Sequence, residues 1–233
     1  EFRRVLFRSA GNLVDASGNG HFFSNVGNMQ SIEGSGNGAA GVIGSVTGDQ
    51  NTKASFGQVL SPHHTLCTIT RYTGEKKGRI LVGDQGNWLH GHHGGLAGVA
   101  YYEGWKTEKK DRIDPDTDWL VFCGQTGDDN AFRANGADVT QAHVPASSAT
   151  MSLTVNQGGC CGASETSDWA IAEVIAWNRE LSCAELKAAE HYLLHRLTVG
   201  NVVASSEEAS TNPDDFSKDG LAAWFQYDAG NLV

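Results

Sequence analysis

The residues best suited to bind a ligand lie in one stretch, from Trp88 to Trp105, which mixes aromatic and hydrogen-bonding side chains. Flat aromatic faces can stack on sugar rings, while amide, carboxylate and imidazole groups can hydrogen-bond sugar hydroxyls. In an extended strand His90 and His92 share one face and His93 points away. The sequence therefore predicts a carbohydrate-binding site formed by Asp84, Asn87, Trp88, His90, His92, Tyr101 and Trp105, with Tyr102 as a further aromatic face.

Two other interpretations of this stretch stay open. The side chains could serve packing and loop structure alone. The two imidazoles that share a face could also bind zinc or copper, although no carboxylate or thiol stands at a suitable third position nearby.

Catalysis on glycans would need paired carboxylates on one strand, at a spacing such as E-x-D-x-x-E, because alternate residues face the same side. The sequence has no such run. The aspartates between residues 111 and 118 are dense, but Pro115 interrupts them in a predicted loop, where solvated carboxylates are typical. Glu173 stands in an apolar row, where we expect it to be buried and paired with Arg71 or Arg79. We therefore predict that the protein is not an enzyme.

A cofactor is not expected, with calcium as the alternative. Asp15 and Asn19, in the turn DASGNG, could offer oxygen ligands together with loop carbonyls, but the repeated D-x-D spacing of calcium loops is missing. We interpret this segment as a Gly-rich turn. His63 and His64 precede a predicted strand and are expected to face solvent.

Charge and composition exclude several classes of partner. The chain has 233 residues, a formal net charge of −10 and 29 glycines. An acidic surface repels nucleic acid and anionic membranes, because binding to phosphate relies on Lys and Arg. The sequence lacks an apolar run long enough to cross a bilayer, so membrane insertion is not expected either. Frequent glycine without a collagen period indicates many tight turns, as all-β folds need.

The cysteines are Cys67, Cys123, Cys160, Cys161 and Cys183, and no CxxC pair is present. A thiolate zinc site is therefore not expected. Cys67 and Cys123 each lie in a predicted strand, either as buried free thiols or as a disulfide across the two sheets. The odd number leaves at least one thiol free, and the sequence does not determine the pairing.

Several short segments have the patterns of strands, bounded by glycine and proline. Residues 119–123 and 170–177 are apolar on both faces, as in central strands that are covered on both sides. Residues 88–102 suit a hairpin or a long bent loop. The remaining predicted strands are residues 65–72, 79–82 and 151–155.

One helix is predicted near the C-terminus. Ser182 and Glu185 have the spacing of a capping box, and Leu181 and Leu186 have that of a hydrophobic staple. An apolar stripe follows at helical spacing and must pack on the sheets, because so short a helix is not stable alone. Strands do not alternate with helices, so the sequence predicts an all-β fold, an antiparallel β-sandwich or jelly roll with one short C-terminal helix.

The two ends of the chain suggest a repeat. Residues 1–9 are basic and unlike the remainder, so we expect them to be non-native, and AGNLV occurs at residues 10–14 and again at 229–233. We predict a sandwich over residues 10–197 that lacks its first strand, an acidic flexible linker over 198–219, and the first strand of a next copy over 220–233. That strand could fold back and complete the sandwich.

Three segments resemble the concanavalin A-like lectin/glucanase superfamily, in particular its laminin-G-like or pentraxin-like branch. Residues 168–182, DWAIAEVIAWNRELS, are similar to the closing strand and capped helix of that family. Residues 15–20 are similar to its D-x-S-G-N-G turn, and residues 220–225 to its first strand, G-L-x-x-W-x. The resemblance covers both ends of the domain and implies a concanavalin A-like jelly roll.

This superfamily includes lectins, adhesion modules, structural repeats and glycosidases, so the resemblance does not assign one function. We expect a non-catalytic carbohydrate-binding repeat of a larger extracellular or surface protein, with a glycan or glycoprotein and neighbouring copies of the domain as partners. The alternative is a structural or adhesion repeat that binds protein. A glucan hydrolase is the third hypothesis.

Overall fold

The computed structural model describes residues 12–127, 132–144, 149–161, 163–200 and 219–228, which form fifteen strands and one helix. Three predicted segments lie wholly or partly outside these residues. They are the non-native residues 1–9, the two AGNLV copies (part of the first and all of the second) and most of the linker. The elements are β1 (Asn12–Asp15), β2 (Ser24–Val26), β3 (Gln30–Gly36), β4 (Ala39–Gly48), β5 (Lys53–Leu60), β6 (Thr65–Lys77), β7 (Leu81–Gly83), β8 (Trp88–His93), β9 (Leu96–Tyr102), β10 (Leu120–Gln125), β11 (Phe132–Ala134), β12 (Ala137–Asp138), β13 (Met151–Val155), β14 (Ser167–Trp177), α1 (Cys183–Val199) and β15 (Leu221–Asp228).

The strands form two antiparallel sheets, which confirms the predicted β-sandwich. In the first sheet the order is β1-β15-β14-β6-β10-β11-β12, and β4 also pairs with β14 and carries β3 on its far side. The second sheet has the order β2-β5-β13-β7-β8-β9. Neighbours in the sheets are often distant in sequence, because the closing strand β14 lies between β6 and β15.

The first sheet is covered on both faces, as the doubly apolar segments predict. Alternate residues of its central strands face the second sheet, where Leu66, Phe122 and Val174 are buried together. The intervening residues face α1, where Ile175 and Trp177 pack with the helix residues Leu186 and Leu193. The layers are therefore the second sheet, the first sheet and the helix, and period-two alternation determines which layer each side chain contacts.

The strand β15 completes the first sheet beside the second half of β14. Val174 is paired with Phe225 and Ile175 with Trp224, and the other edge of β15 pairs with β1. Phe225 lies in the core between the sheets, against Phe56, whereas Trp224 lies in the core under the helix. This strand therefore contributes a large side chain to each of the two cores.

Glu173 is buried as predicted, but the predicted partner is wrong. An irregularity in the pairing of β14 between Ile171 and Glu173 turns the Glu173 side chain towards the helix. There it accepts hydrogen bonds from Trp224 Nε1 at 2.7 Å and Tyr192 Oη at 3.1 Å, and Arg196 Nε lies 3.3 Å from its other oxygen. Burial raises the pKa of Glu173, and Arg196 and the two hydrogen bonds oppose that shift. The carboxylate thus joins β14, β15 and α1.

The cysteines form two disulfides, and Cys183 is an exposed free thiol. Cys67 and Cys123 are bonded between the paired strands β6 and β10, so this disulfide lies within one sheet and does not cross between the two. The second disulfide joins the adjacent residues Cys160 and Cys161, in the turn between β13 and β14.

The helix begins with the predicted capping box. Ser182 Oγ accepts from the Glu185 backbone N–H, the Glu185 side chain accepts from the Ser182 N–H, and Leu181 and Leu186 are both buried. The helix extends to Val199, two residues into the range predicted as linker. No helix in the described ranges is long and apolar enough to span a bilayer.

Replacing Ser182 with alanine is expected to lower the free energy of unfolding by about 1 kcal/mol, because the first-turn N–H groups lose their acceptor. Ser182→Gly is the matched control and should cost only about 0.3 kcal/mol, since glycine is tolerated at this position. Urea denaturation followed by tryptophan fluorescence measures both. An alanine variant as stable as the wild type would show that the cap contributes nothing to the free energy of unfolding.

Candidate functional site

The predicted ligand-binding residues fall on opposite faces of the second sheet. Trp88, His90 and His92 point inwards, together with Tyr102, into the space between the sheets. Asp84, Asn87, Tyr101 and Trp105 lie on the outer side or in the loops beside it. The structure therefore does not bring the predicted site together as one surface.

The inward-facing group is part of the core, because Trp88, His90 and His92 are buried and do not lie on the surface of the domain. The Trp88 ring stacks on Tyr102 with 4.5 Å between centroids, and His90 Nδ1 lies 2.7 Å from Tyr102 Oη. His92 contacts Thr70 Oγ1 at 3.4 Å and the edge of Tyr72. His90 and His92 share a face, as alternation predicts, but that face is the buried one.

This interior contains three buried histidines, His64, His90 and His92. His64, predicted to face solvent, is buried near Trp88, whereas His63 is exposed and lies 3.0 Å from Glu180. Burial lowers the pKa of His64 to about 4, and of His90 and His92 to about 3. His64 Nε2, His92 Nε2 and Trp88 Nε1 are buried without a hydrogen-bond partner. Neutral imidazoles are therefore favoured in the folded state.

The outer face of the second sheet carries a continuous row of polar and aromatic side chains. Val82, Leu89 and Val99 form its buried floor. We call the row above this floor the outer-face strip, and it consists of Arg79, Asn87, His93, Tyr101, Trp105 and Glu165.

The polar half of the strip is held together by hydrogen bonds and ion pairs. Arg79 Nε donates to Glu165 Oε2 at 2.5 Å, and Arg79 Nη1 donates to Asn87 Oδ1 at 2.8 Å. His93 Nε2 lies 3.5 Å from the same Glu165 oxygen. The Asn87 backbone N–H donates to Glu103 Oε1 at 2.6 Å. Because the Arg79 side chain is almost fully buried, it fixes the positions of the more exposed Asn87 and Glu165.

The aromatic half consists of Tyr101 and Trp105, which are both half-buried and meet edge to face at 5.3 Å between centroids. His93 also packs on Trp105, so it connects the two halves. Lys109 Nζ lies over the Trp105 ring at 4.6 Å from its centroid. An exposed cation–π contact contributes only about 0.5–1 kcal/mol, so a ligand ring could displace this flexible side chain at low cost.

Three other acidic side chains near the second sheet bond to the backbone or to a lysine. Asp84 is exposed and accepts from the Ser152 N–H at 2.8 Å, which joins the β7–β8 turn to β13. In the aspartate-rich loop, Asp111 accepts from the Ala97 N–H, and Asp116 forms an ion pair with Lys77 at 2.7 Å. Asp111 and Asp116 thus connect the loop to β9 and β6.

The turn considered for calcium is bonded to the last strand. Asp15 Oδ2 accepts from the His21 N–H at 2.9 Å, and Asp15 Oδ1 accepts from the N–H groups of Ser17 and Trp224. Asn19 Nδ2 donates to backbone carbonyls at the start of β15. Across the described ranges, no three His, Cys, Asp or Glu side chains lie close enough together to hold a metal ion.

Sequence reasoning missed Arg79, His93 and Glu165 as members of a surface site. The alternation of β8 was itself a usable signal, because it sets His93 opposite to His90 and His92 and on the same face as Leu89. Tyr101 is paired with Leu89 in the hairpin and belongs to that face as well. Glu165 carries no such signal, since a loop positions it.

A scan against protein-family models finds no match, and a search of curated proteins finds no similar sequence. The fold is similar to that of domain 4 of AbnA, a GH43 extracellular arabinanase from Geobacillus stearothermophilus, solved in complex with arabinotriose. The TM-score is 0.51 at 11% sequence identity, and the match covers 77% of this chain and 97% of that chain. This likeness supports the β-sandwich fold.

Proposed function

We propose that this domain is a non-catalytic carbohydrate-binding module of a larger extracellular or surface protein, and that the outer-face strip binds a neutral glycan. The observation that carries the proposal is the position of half-exposed Tyr101 and Trp105 beside polar groups anchored by Arg79. Aromatic faces next to fixed hydrogen-bonding groups are the usual mixture in a ligand site. Preorganised side chains also lose little conformational entropy on binding.

Three further observations support this class of ligand and environment. The structurally similar arabinanase domain was solved with an arabinose oligosaccharide bound. The net charge of −10 disfavours sulfated or uronate-rich polymers, which leaves neutral glycans. The two disulfides are typical of an oxidising compartment.

The carboxylates near the strip are occupied with other groups. Glu165 is paired with Arg79, and Glu103 accepts from the Asn87 N–H. A retaining or inverting glycosidase needs two carboxyl groups that face one scissile bond. We therefore propose binding without turnover, and incubation with arabinan, xylan and laminarin should release no reducing sugar.

Trp105→Ala is expected to weaken glycan binding about 5- to 30-fold, because truncating a central aromatic contact costs about 1–2 kcal/mol of binding free energy. A panel of neutral oligosaccharides on an array identifies the ligand, and isothermal titration calorimetry then measures the wild type and the variant. Phe22→Ala is the matched control, since Phe22 is 80% exposed and lies beside the opposite edge of the second sheet. Equal affinity of wild type and W105A for a bound glycan would exclude the strip as the site.

A second candidate function is an adhesion repeat that binds protein. It is favoured by Phe22 and Val26, which are 80% and 73% exposed and lie at the edge strand β2 of the second sheet. This candidate would be supported if no glycan on the array is bound and if the domain self-associates in a way that F22A abolishes. Two points stay predictions: membership of the laminin-G-like branch, and the presence of tandem copies of the domain. The full-length coding sequence tests directly for tandem copies.

A further inference from the structure

The Cys160–Cys161 disulfide lies in the loop beside the polar half of the outer-face strip. Cys160 is exposed and Cys161 is half-buried, in contrast to the fully buried Cys67 and Cys123. A disulfide between adjacent residues closes a small ring that includes the peptide bond joining them. Its oxidation state therefore constrains the backbone of its own turn directly.

One side of this ring contacts the turn that precedes Asn87. The Cys160 N–H donates to the Gly86 carbonyl at 2.9 Å. Gly159, with φ of 56°, lies so close to the same turn that a Cβ at this position would be 2.8 Å from the Gly86 carbonyl oxygen. The loop backbone is thus packed directly on the residues that position Asn87.

The other side of the ring positions Glu165. The Cys161 carbonyl accepts from the N–H groups of Ser164 and Glu165, both at 3.0 Å. The Glu165 carbonyl then accepts from the Arg79 N–H at 2.6 Å, while its side chain contacts Arg79 and His93. One turn, closed by the disulfide, therefore supports both polar ends of the strip.

We propose that Cys160–Cys161 is a thiol–disulfide exchange site, and that its reduction weakens glycan binding at the outer-face strip. A low-molecular-weight dithiol supplies the two electrons and two protons: its thiolate attacks one sulfur, the second thiol resolves the mixed disulfide, and the products are two protein thiols and the oxidised dithiol. The separated thiols no longer fix the Cys161 carbonyl that accepts from Ser164 and Glu165, so Glu165 and the Gly86–Asn87 turn gain freedom. The binding part of this inference rests on the proposed function.

The accessibility of the sulfurs makes the exchange selective. Thiolate attack requires access to a sulfur, and the Cys67–Cys123 pair is covered by the helix. Exposed Cys183 serves as an internal standard, because it reacts with alkylating agents whatever the state of the disulfides. Native protein should therefore incorporate one alkyl group before mild reduction and three after it.

The test treats the folded full chain with dithiothreitol, alkylates it with iodoacetamide, counts the added groups by intact mass, and measures glycan affinity before and after reduction. We expect three alkyl groups and an affinity about three- to tenfold lower, the effect of losing one well-placed hydrogen-bonded contact. Cys160→Ser with Cys161→Ser should show the lower affinity permanently and no response to reductant. Cys183→Ser is the matched control: it should lose glycan affinity on reduction like the wild type, with no alkyl group before reduction and two after it.

Hydrogen exchange of the backbone amides of Asn87, Ser164 and Glu165 provides a readout that does not depend on a glycan. Faster exchange on reduction supports the structural link even if no glycan binds, in which case only the proposed function fails. Reduction confined to conditions that unfold the chain would overturn the exchange site. Three alkylated thiols with unchanged exchange and unchanged affinity would overturn the link to the strip.

Discussion

Lowering the pH from 7 towards about 3 is expected to unfold this domain, because His64, His90 and His92 are buried in neutral form between the sheets. Burial lowers the pKa of His64 to about 4 and that of His90 and His92 to about 3. Each ring would have to take up a proton among apolar and aromatic neighbours. Glu180, near His64, favours protonation of that ring only weakly against the cost of burial.

The sign of the effect follows from the two states. Above about pH 6.5 the histidines are neutral in both the folded and the unfolded chain and contribute no pH dependence. Below it the unfolded chain binds protons and the folded chain does not, so each histidine lowers the free energy of unfolding by about 1.4 kcal/mol per pH unit. Three such groups give about 4 kcal/mol per unit, until the pH reaches the folded pKa values.

Because domains of this size have a total stability of about 5–15 kcal/mol, the midpoint of acid unfolding should fall between about pH 3 and 5.5. Glu173 acts in the opposite direction, since its pKa is raised in the folded state and acidification relieves that cost. Glu173 is one group and the buried histidines are three, so Glu173 reduces the slope of the free energy of unfolding against pH without reversing it.

Chemical denaturation at a series of pH values measures this dependence. His92→Leu should reduce the slope between pH 6 and 5 by about a third, because one titrating group is removed. His191→Leu is the matched control, since His191 is exposed on the helix and its replacement should leave the slope unchanged. An unchanged slope in H92L would show that His92 is not neutral in the folded protein.

The elements that alternation and capping specify could be predicted from the sequence. The helix start follows from Ser182 and Glu185 because a capping box satisfies local backbone donors. The doubly apolar segments correspond to β10 and β14, which are covered by the second sheet and the helix. Strands β2 to β4 were not predicted, because this region is rich in Gly, Ser and Asn, and β3 is exposed along its length.

The site was harder to predict, because alternation says which side chains share a face but not which face is buried. Both faces of β8 and β9 carry aromatic residues: Trp88 and Tyr102 on one, Tyr101 on the other. The composition favoured the face with more histidines as the binding site, but that face points into the interior. Which face is buried depends on where the first sheet packs, and no local sequence pattern determines the strand order across the sandwich.

The Cys160–Cys161 bond and the partner of Glu173 illustrate the same limit. The sequence does not determine whether two adjacent cysteines pair with each other or with other cysteines. Arg196 meets Glu173 only because the helix packs across β14, at a position set by the apolar stripe and the loop before it. Long-range contacts of this kind follow from the assembled layers.

Removing β15 is expected to abolish the cooperative fold, which is the second large effect. A chain that ends at Asp219 loses Trp224 and Phe225, and truncation of each buried aromatic side chain costs about 3–5 kcal/mol, a sum comparable to the whole stability of a domain. The edge of β14 from Glu173 to Trp177 loses its backbone partners, β1 loses its pairing, and the buried Glu173 carboxylate loses the Trp224 donor.

The matched control ends at Asp228, so that it keeps β15 and lacks only residues beyond the described strand. It should retain a single cooperative thermal transition with near-ultraviolet circular dichroism like that of the full chain, and the chain ending at Asp219 should show neither. A synthetic peptide of residues 219–228 should restore the near-ultraviolet circular dichroism of the shorter chain. The same peptide with W224A and F225A should not, because the strand binds at the edge of β14 through the two side chains that enter the two cores. A shorter chain as stable as the control would mean that the two sheets close without this strand, and the resemblance to lectin-like sandwiches would lose the strand on which it depends.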